Sequence, residues 1–254
     1  VVIPKGVEEI QKYAFYNCSG LEKVVIPDTI KYVREYAFYK DVKLKSINLE
    51  NVQTIGAYAF YNCEVLNNIN LDKIYAIGKN AFENCTALEK VDISTLRNSG
   101  KEIFKGCKSL KEVIFAENTK LSYAMFVSCG IEQVTLYETV EIPEFCFAKC
   151  ENLTDVFIES SLVKISKGAF SECTKLVHVT FNGSVDKIDE QTFYKCTSLK
   201  TIMFPNCDVE LGAYTFYMCE SLEEIQFGSN TRLTHLSGSI FEGTAVSQFV
   251  VDAN

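Results

Sequence analysis

A phenylalanine recurs along this chain at nearly constant spacing, and that period restricts the fold more than any other feature. The markers are Phe15, Phe38, Phe60, Phe82, Phe104, Phe126, Phe147, Phe170, Phe193, Phe216 and Phe241, separated by 21 to 25 residues. Three residues after the phenylalanine, nine of the eleven copies carry cysteine, from Cys18 to Cys219; Asp41 and Thr244 take that place in the other two. A hexad of the form L-x-x-[IV]-x-[ILF] follows, as in Leu66 to Leu71, Leu88 to Ile93 and Leu176 to Phe181. Its apolar positions alternate with outward ones, the period of a half-buried strand. The chain then turns, and a second apolar pair leads back to the next phenylalanine: Val7 with Ile10, Ile30 with Val33, Val52 with Ile55. One such copy of about 22 residues cannot bury its apolar face alone, so copies must stack. The reading is one solenoid domain over residues 1–254, with its strands in one long parallel sheet.

Hydrophobic content of 47% suffices for a continuous core. The net charge of -8 is spread over interspersed acids and bases, which reads as solubility rather than a binding field. A nucleic-acid partner is disfavoured, because no basic run or basic domain is present. No run of eighteen apolar residues occurs, so no membrane span is expected in this chain, and no signal-peptide pattern is seen. Val1-Val2-Ile3-Pro4 aligns with Val24-Val25-Ile26-Pro27, the second half of a repeat strand. With no polar capping copy ahead of it, the chain reads as a fragment of a longer protein.

The nine periodic cysteines should form a column of equivalent core thiols, each bonding a backbone carbonyl of its own turn, rather than a disulfide framework. Cys146 and Cys207 lie outside the column. Cys146 forms C-x3-C with Cys150, but no second pair and no nearby histidine complete a metal site, so it reads as core filler. Cys207, in the turn after Phe204-Pro205, is the expected exposed thiol.

The pattern I-x-x-I-G-x-x-A-F-x-x-C-x-x-L-x-x-I-x-L stands almost whole at Val52 to Leu71 and at Ile74 to Ile93. It resembles the BspA-like, treponemal-type class of leucine-rich repeat proteins, over essentially the full chain. The fifth and sixth copies depart from it: Ile103 and Met125 replace alanine and Ser99 replaces the return-strand isoleucine, so the stack should be irregular there. The resemblance implies a leucine-rich repeat solenoid, a curved right-handed superhelix. A parallel sheet would line its concave face, with short return strands, turns and short helices on the convex side. It also implies a non-catalytic protein-binding or adhesion module of a cell-surface or secreted protein. The implied partner is a protein, such as a host extracellular-matrix or surface protein. The alternatives are a spacer that displays other domains and an intracellular scaffold.

The strand face is the usual binding surface of a solenoid. Its outward columns hold three groups of candidates. Asn48, Asn67, Asn68 and Asn70 are amide-rich; Ile114, Phe157 and Met203 are large and apolar, with Asp155 and His178 adjacent; Glu223 and Glu224 make the later strand acidic. An exposed aromatic among polar residues is a plausible anchor. Ile114, Phe157 and Met203 read equally as ordinary strand formers, and the asparagines as a solvated face. The same face is open to a glycan or to self-association. Tyrosines follow the phenylalanine at Tyr16, Tyr39, Tyr61, Tyr194 and Tyr217, and read as packing between coils. Of four sequons, at Asn17, Asn84, Asn152 and Asn182, three fall in the repeat consensus around the cysteine and are better explained by turn chemistry.

Only His178 and His235 could serve as a base. A hydroxyl on an open strand face has neither oxyanion hole nor closed pocket, so catalysis is not expected. No phosphate-cradling glycine motif occurs, and no cofactor is implied.

Overall fold

The computed structural model describes residues 1–117, 119–205, 207–236 and 238–251. The chain divides into two compact units, Val1–Gly130 and Ile131–Asn254. All strand pairing within each is parallel. Each unit is a stack of coils with a strand face, a return face and a turn face around one apolar interior.

In the first unit, return strands Glu9–Ile10, Tyr32–Val33, Thr54–Ile55, Ala76–Ile77 and Asn98–Ser99 pair in that order. Its strand face is sparser. Lys23–Val24 pairs with Ser46–Ile47, Asn68 adds one bridge to Ser46, and Lys90–Asp92 pairs with Glu112–Ile114. In the second unit the return strands are Glu141–Ile142, Leu162–Ile165, Ser184–Ile188, Asp208–Leu211 and Arg232–Leu236. Its strand face holds two sheets, Gln133–Tyr137 with Asp155–Glu159 and His178–Phe181, and Thr201–Phe204 with Glu224–Phe227 and Gln248–Val251. The single long sheet expected from the repeat is therefore interrupted. The first unit ends at Gly130, close to the copies whose sequence departs from the pattern.

The short helices expected on the turn side are not found: no described residue is helical, and the segments around each phenylalanine are chained turns. The reason lies in where their N–H groups point. From Tyr36 to Asp41, alternate amides leave the coil. Those of Tyr36, Phe38 and Lys40 donate to the carbonyls of Ala57, Ala59 and Tyr61 in the next coil at 2.8–3.0 Å. The intervening amides of Ala37, Tyr39 and Asp41 close turns onto the residue three before. An α-helix would need every one of them within the segment. Positive φ at Tyr36 and Lys40, at Tyr58 and Asn62, and at Asn80 and Asn84 produces the alternation. At Gly78 the approach of the preceding coil is close enough that a Cβ would lie 2.4 Å from the Ala57 nitrogen.

The marker phenylalanines stack on one another inside. Centroids of Phe38 and Phe60 are 5.1 Å apart and those of Phe193 and Phe216 5.6 Å, with rings parallel within 8°. Both pairs are fully buried, and each ring contributes about 1.5–3 kcal/mol of apolar burial. Outside them, Tyr16, Tyr39 and Tyr61 stack at 4.9 Å, as expected of packing between coils.

The cysteine column is present, with its bonding corrected. Cys63, Cys85, Cys107 and Cys129 donate not within their own turn but to the carbonyls of Phe38, Phe60, Phe82 and Phe104 in the preceding coil, at 3.0–3.2 Å. Cys173, Cys196 and Cys219 do the same to Phe147, Phe170 and Phe193. Among the described residues, the Phe60 and Phe82 carbonyls take no amide from a neighbouring coil. Each accepts only the N–H three residues on, as Phe60 does from Cys63, and the thiol fills its remaining lone pair. Cys146 is fully buried core filler. Cys207 is only half-exposed, its thiol on the Pro205 carbonyl; Cys18 is the exposed one.

Asp41 occupies the cysteine position of the second copy. It is fully buried; Oδ1 accepts the Cys18 N–H at 2.6 Å and Oδ2 has no partner. Burial pushes its pKa up to about 7, with the Cys18 N–H working against the rise. Because the folded value lies above the unfolded one, the protonated acid stabilises the fold fully at low pH. That contribution is lost as pH rises from the ordinary carboxylate range through about 7.

Two outcomes follow. Asp41→Cys should remove this pH dependence and raise stability at pH 8 by about 1–3 kcal/mol, read by urea denaturation across pH 4–8; an unchanged pH profile would show that Asp41 is not the titrating group. Under native conditions a thiol reagent should label Cys18 first and Cys207 more slowly. The buried column thiols should react only on unfolding; burial raises the pKa of Cys85, Cys107 and Cys173 among them.

Candidate functional site

On the strand face of the second unit, the pleat carries outward residues in register. Asp155 stands beside Gln133 and His178, and Phe157 beside Thr135 and Thr180. His178 Nδ1 meets Asp155 Oδ1 at 2.8 Å, and Asp155 Oδ2 accepts the Thr154 hydroxyl at 2.6 Å. The Thr154 hydroxyl, with help from His178, holds the Asp155 carboxyl below its ordinary range, against partial burial. The imidazole is largely exposed, so the pair is a fixed polar feature on an open surface. Phe157 is half-buried between its threonine neighbours. Met203, on the other sheet of this unit, is 44% exposed.

Sequence reasoning missed Tyr137. It ends its strand in the outward set, opposite Glu159 and diagonal to Phe157, and is 47% exposed. Residues related this way lie within reach of aromatic side chains. The signal was available, since Tyr137 is two residues beyond Thr135 in the same alternation. Tyr137, Phe157 and Met203 thus give this unit's face its large apolar groups. The acid of the Thr201–Phe204 sheet is already engaged: Glu224 accepts the amides of Gln226 and Gln248 at 2.7 and 2.9 Å.

The other candidates lie on the first unit. Ile114 is 36% exposed at the end of its strand. The Asn48 amide is occupied by the preceding coil, accepting from the Ile26 N–H at 2.8 Å and donating to its carbonyl at 2.9 Å. Asn70 Oδ1 accepts the Asp72 N–H, and Asp92 Oδ1 the Ser94 N–H, each at 2.9 Å, so both cap turns at strand ends. Asn68 is exposed. Asn68 and Asn70 line a groove of about 620 Å³ together with Asn67, Asp92 and Ile114. The same two asparagines also line a smaller groove of about 370 Å³ beside Val25.

The sequence profile of the BspA type leucine-rich repeat region matches the chain over residues 1–93, 35–142 and 140–254. No curated protein sequence matches it. Solved structures with a similar fold include a leucine rich cell surface protein from Faecalibacterium prausnitzii, at 22% identity and a TM-score of 0.60, over 100% of this chain and 87% of that one. A leucine-rich repeat protein from Bacteroides ovatus has 23% identity and a TM-score of 0.59, over 99% and 82%. The T. pallidum leucine rich repeat protein has 25% identity and a TM-score of 0.53, over 69% and 77%. With the repeat profile spanning the whole sequence and the stacked coils bearing it out, the chain belongs to the BspA type leucine-rich repeat family.

Proposed function

We propose that this chain is a non-catalytic protein-binding and adhesion module of a cell-surface or secreted protein, holding its partner on the strand face. Leucine-rich repeats of this kind generally serve in protein interaction or adhesion. The observation that carries the reading here is the exposure of Tyr137 and Met203, with Phe157, on a rigid and otherwise polar face. Aromatic and methionine side chains ringed by polar groups are the composition of an interface centre. The Asp155–His178 pair adds an orienting polar contact at its edge. A relative of similar fold is described as a cell surface protein, which supports the location. No described helix is long and apolar enough to cross a membrane.

The test is binding of the chain, and of Phe157→Asp, Tyr137→Asp and Met203→Asp, to a panel of extracellular-matrix and plasma proteins and to whole cells. Circular dichroism confirms folding of each variant. A partner of the parent should lose about 2 kcal/mol, roughly 30-fold in affinity, with at least one folded variant. Undiminished binding by all three would move the site off this face, and absence of binding by the parent would favour a spacer.

A further inference from the structure

The larger groove of the first unit lies at a break in its strand face. Among the described residues no strand pairing joins Asn67–Leu71 to Lys90–Asp92, although Asn68 still bridges Ser46. The two coils stay stacked elsewhere: Phe60 donates to the Ala81 carbonyl at 2.8 Å on the turn face, and Thr54–Ile55 pairs with Ala76–Ile77 on the return face. The opening is therefore built into a rigid stack. Asparagine is a poor strand former, and it stands at Asn67, Asn68 and Asn70 in this segment.

What the opening presents is specific. The side-chain amides of Asn67 and Asn68 are exposed and make no hydrogen bond among the described residues. Asn70 keeps its Nδ2 and Asp92 its Oδ2 after their capping bonds. Lys90 is paired with Glu112 at 2.5 Å, so it is not an open anion site. Glu89 and Asp92 line the larger groove and Glu50 the smaller one, which disfavours a polyanion. Ile114 borders one groove and Val25, 38% exposed, the other.

We propose that this groove is a binding site for a neutral oligosaccharide, a surface separate from the protein-binding face of the second unit and independent of that reading. Each hydroxyl of a sugar is both donor and acceptor, as is each free asparagine amide, so adjacent hydroxyls match an amide in two bonds. The carboxylate of Asp92 takes a further hydroxyl proton. Ile114 supplies apolar surface for the C–H face of a ring. The groove volume lies within the range of small-molecule sites.

The test uses neutral hexasaccharides of glucose, xylose, mannose and N-acetylglucosamine, each titrated to about 10 mM, a range that detects millimolar dissociation constants. Side-chain amide NMR of the whole chain is the readout. At least one sugar should shift the Asn67 and Asn68 amide signals. Asn67→Ala/Asn68→Ala, in exposed positions that leave the fold intact by circular dichroism, should weaken that binding by about tenfold or more. Phe157→Asp should leave it unchanged. The proposal fails if no sugar shifts these signals, or if the double variant binds as the parent does. It also fails if a sulfated polysaccharide or an extended peptide occupies the groove where the neutral sugars do not.

Discussion

The fold depends on a hydrogen-bond ladder that runs along the turn face, where helices would ordinarily be sought. In most copies two residues four apart take positive φ, and alternate amides then reach the carbonyls of the next coil. Such a conformation costs a non-glycine residue about 1–2 kcal/mol. Asparagine, which tolerates it best, stands there at Asn17, Asn62, Asn80 and Asn84. Elsewhere lysine, tyrosine and glutamate are held in it, which shows that bonds to the next coil and the buried phenylalanine column offset the cost. The thiols complete the arrangement by filling the remaining lone pair of the phenylalanine carbonyl, inside the core.

Because the turn and return faces hold the coils together, the strand face need not be continuous. It is interrupted in both units, and its outward residues differ from coil to coil while the interior scarcely changes. Recognition placed there can vary without altering the scaffold. The second unit presents large side chains in register beside a fixed Asp155–His178 pair, and the first presents free amides in a groove.

The period, the inward phenylalanines and the buried thiol column were legible because each depends on residue type at one repeated position. Departures at Ser99, Ile103 and Met125 pointed to the region where the first unit ends. The turn-face geometry was not legible, since A-F-x-x-C has a spacing that suits a helical turn. What excludes the helix is a set of bonds to residues about 21 positions ahead. For the same reason Asn48 looked free, although its amide is clamped on Ile26 in the preceding coil. Tyr137 was overlooked because the alternation continues one step past the hexad. The break beside Asn68 had a visible cause in the run Asn67, Asn68 and Asn70, whose weak strand propensity reads as readily as a solvated surface.

Residue-resolved hydrogen exchange under native conditions tests this account most directly. The amides of Phe38, Phe60 and Phe82, bonded between coils, should be among the slowest to exchange. That of Asn70, beside the interrupted strand face, should exchange quickly. Fast exchange at the phenylalanine amides with strong protection at Asn70 would contradict it, and would make the strand sheet the element that holds the coils together.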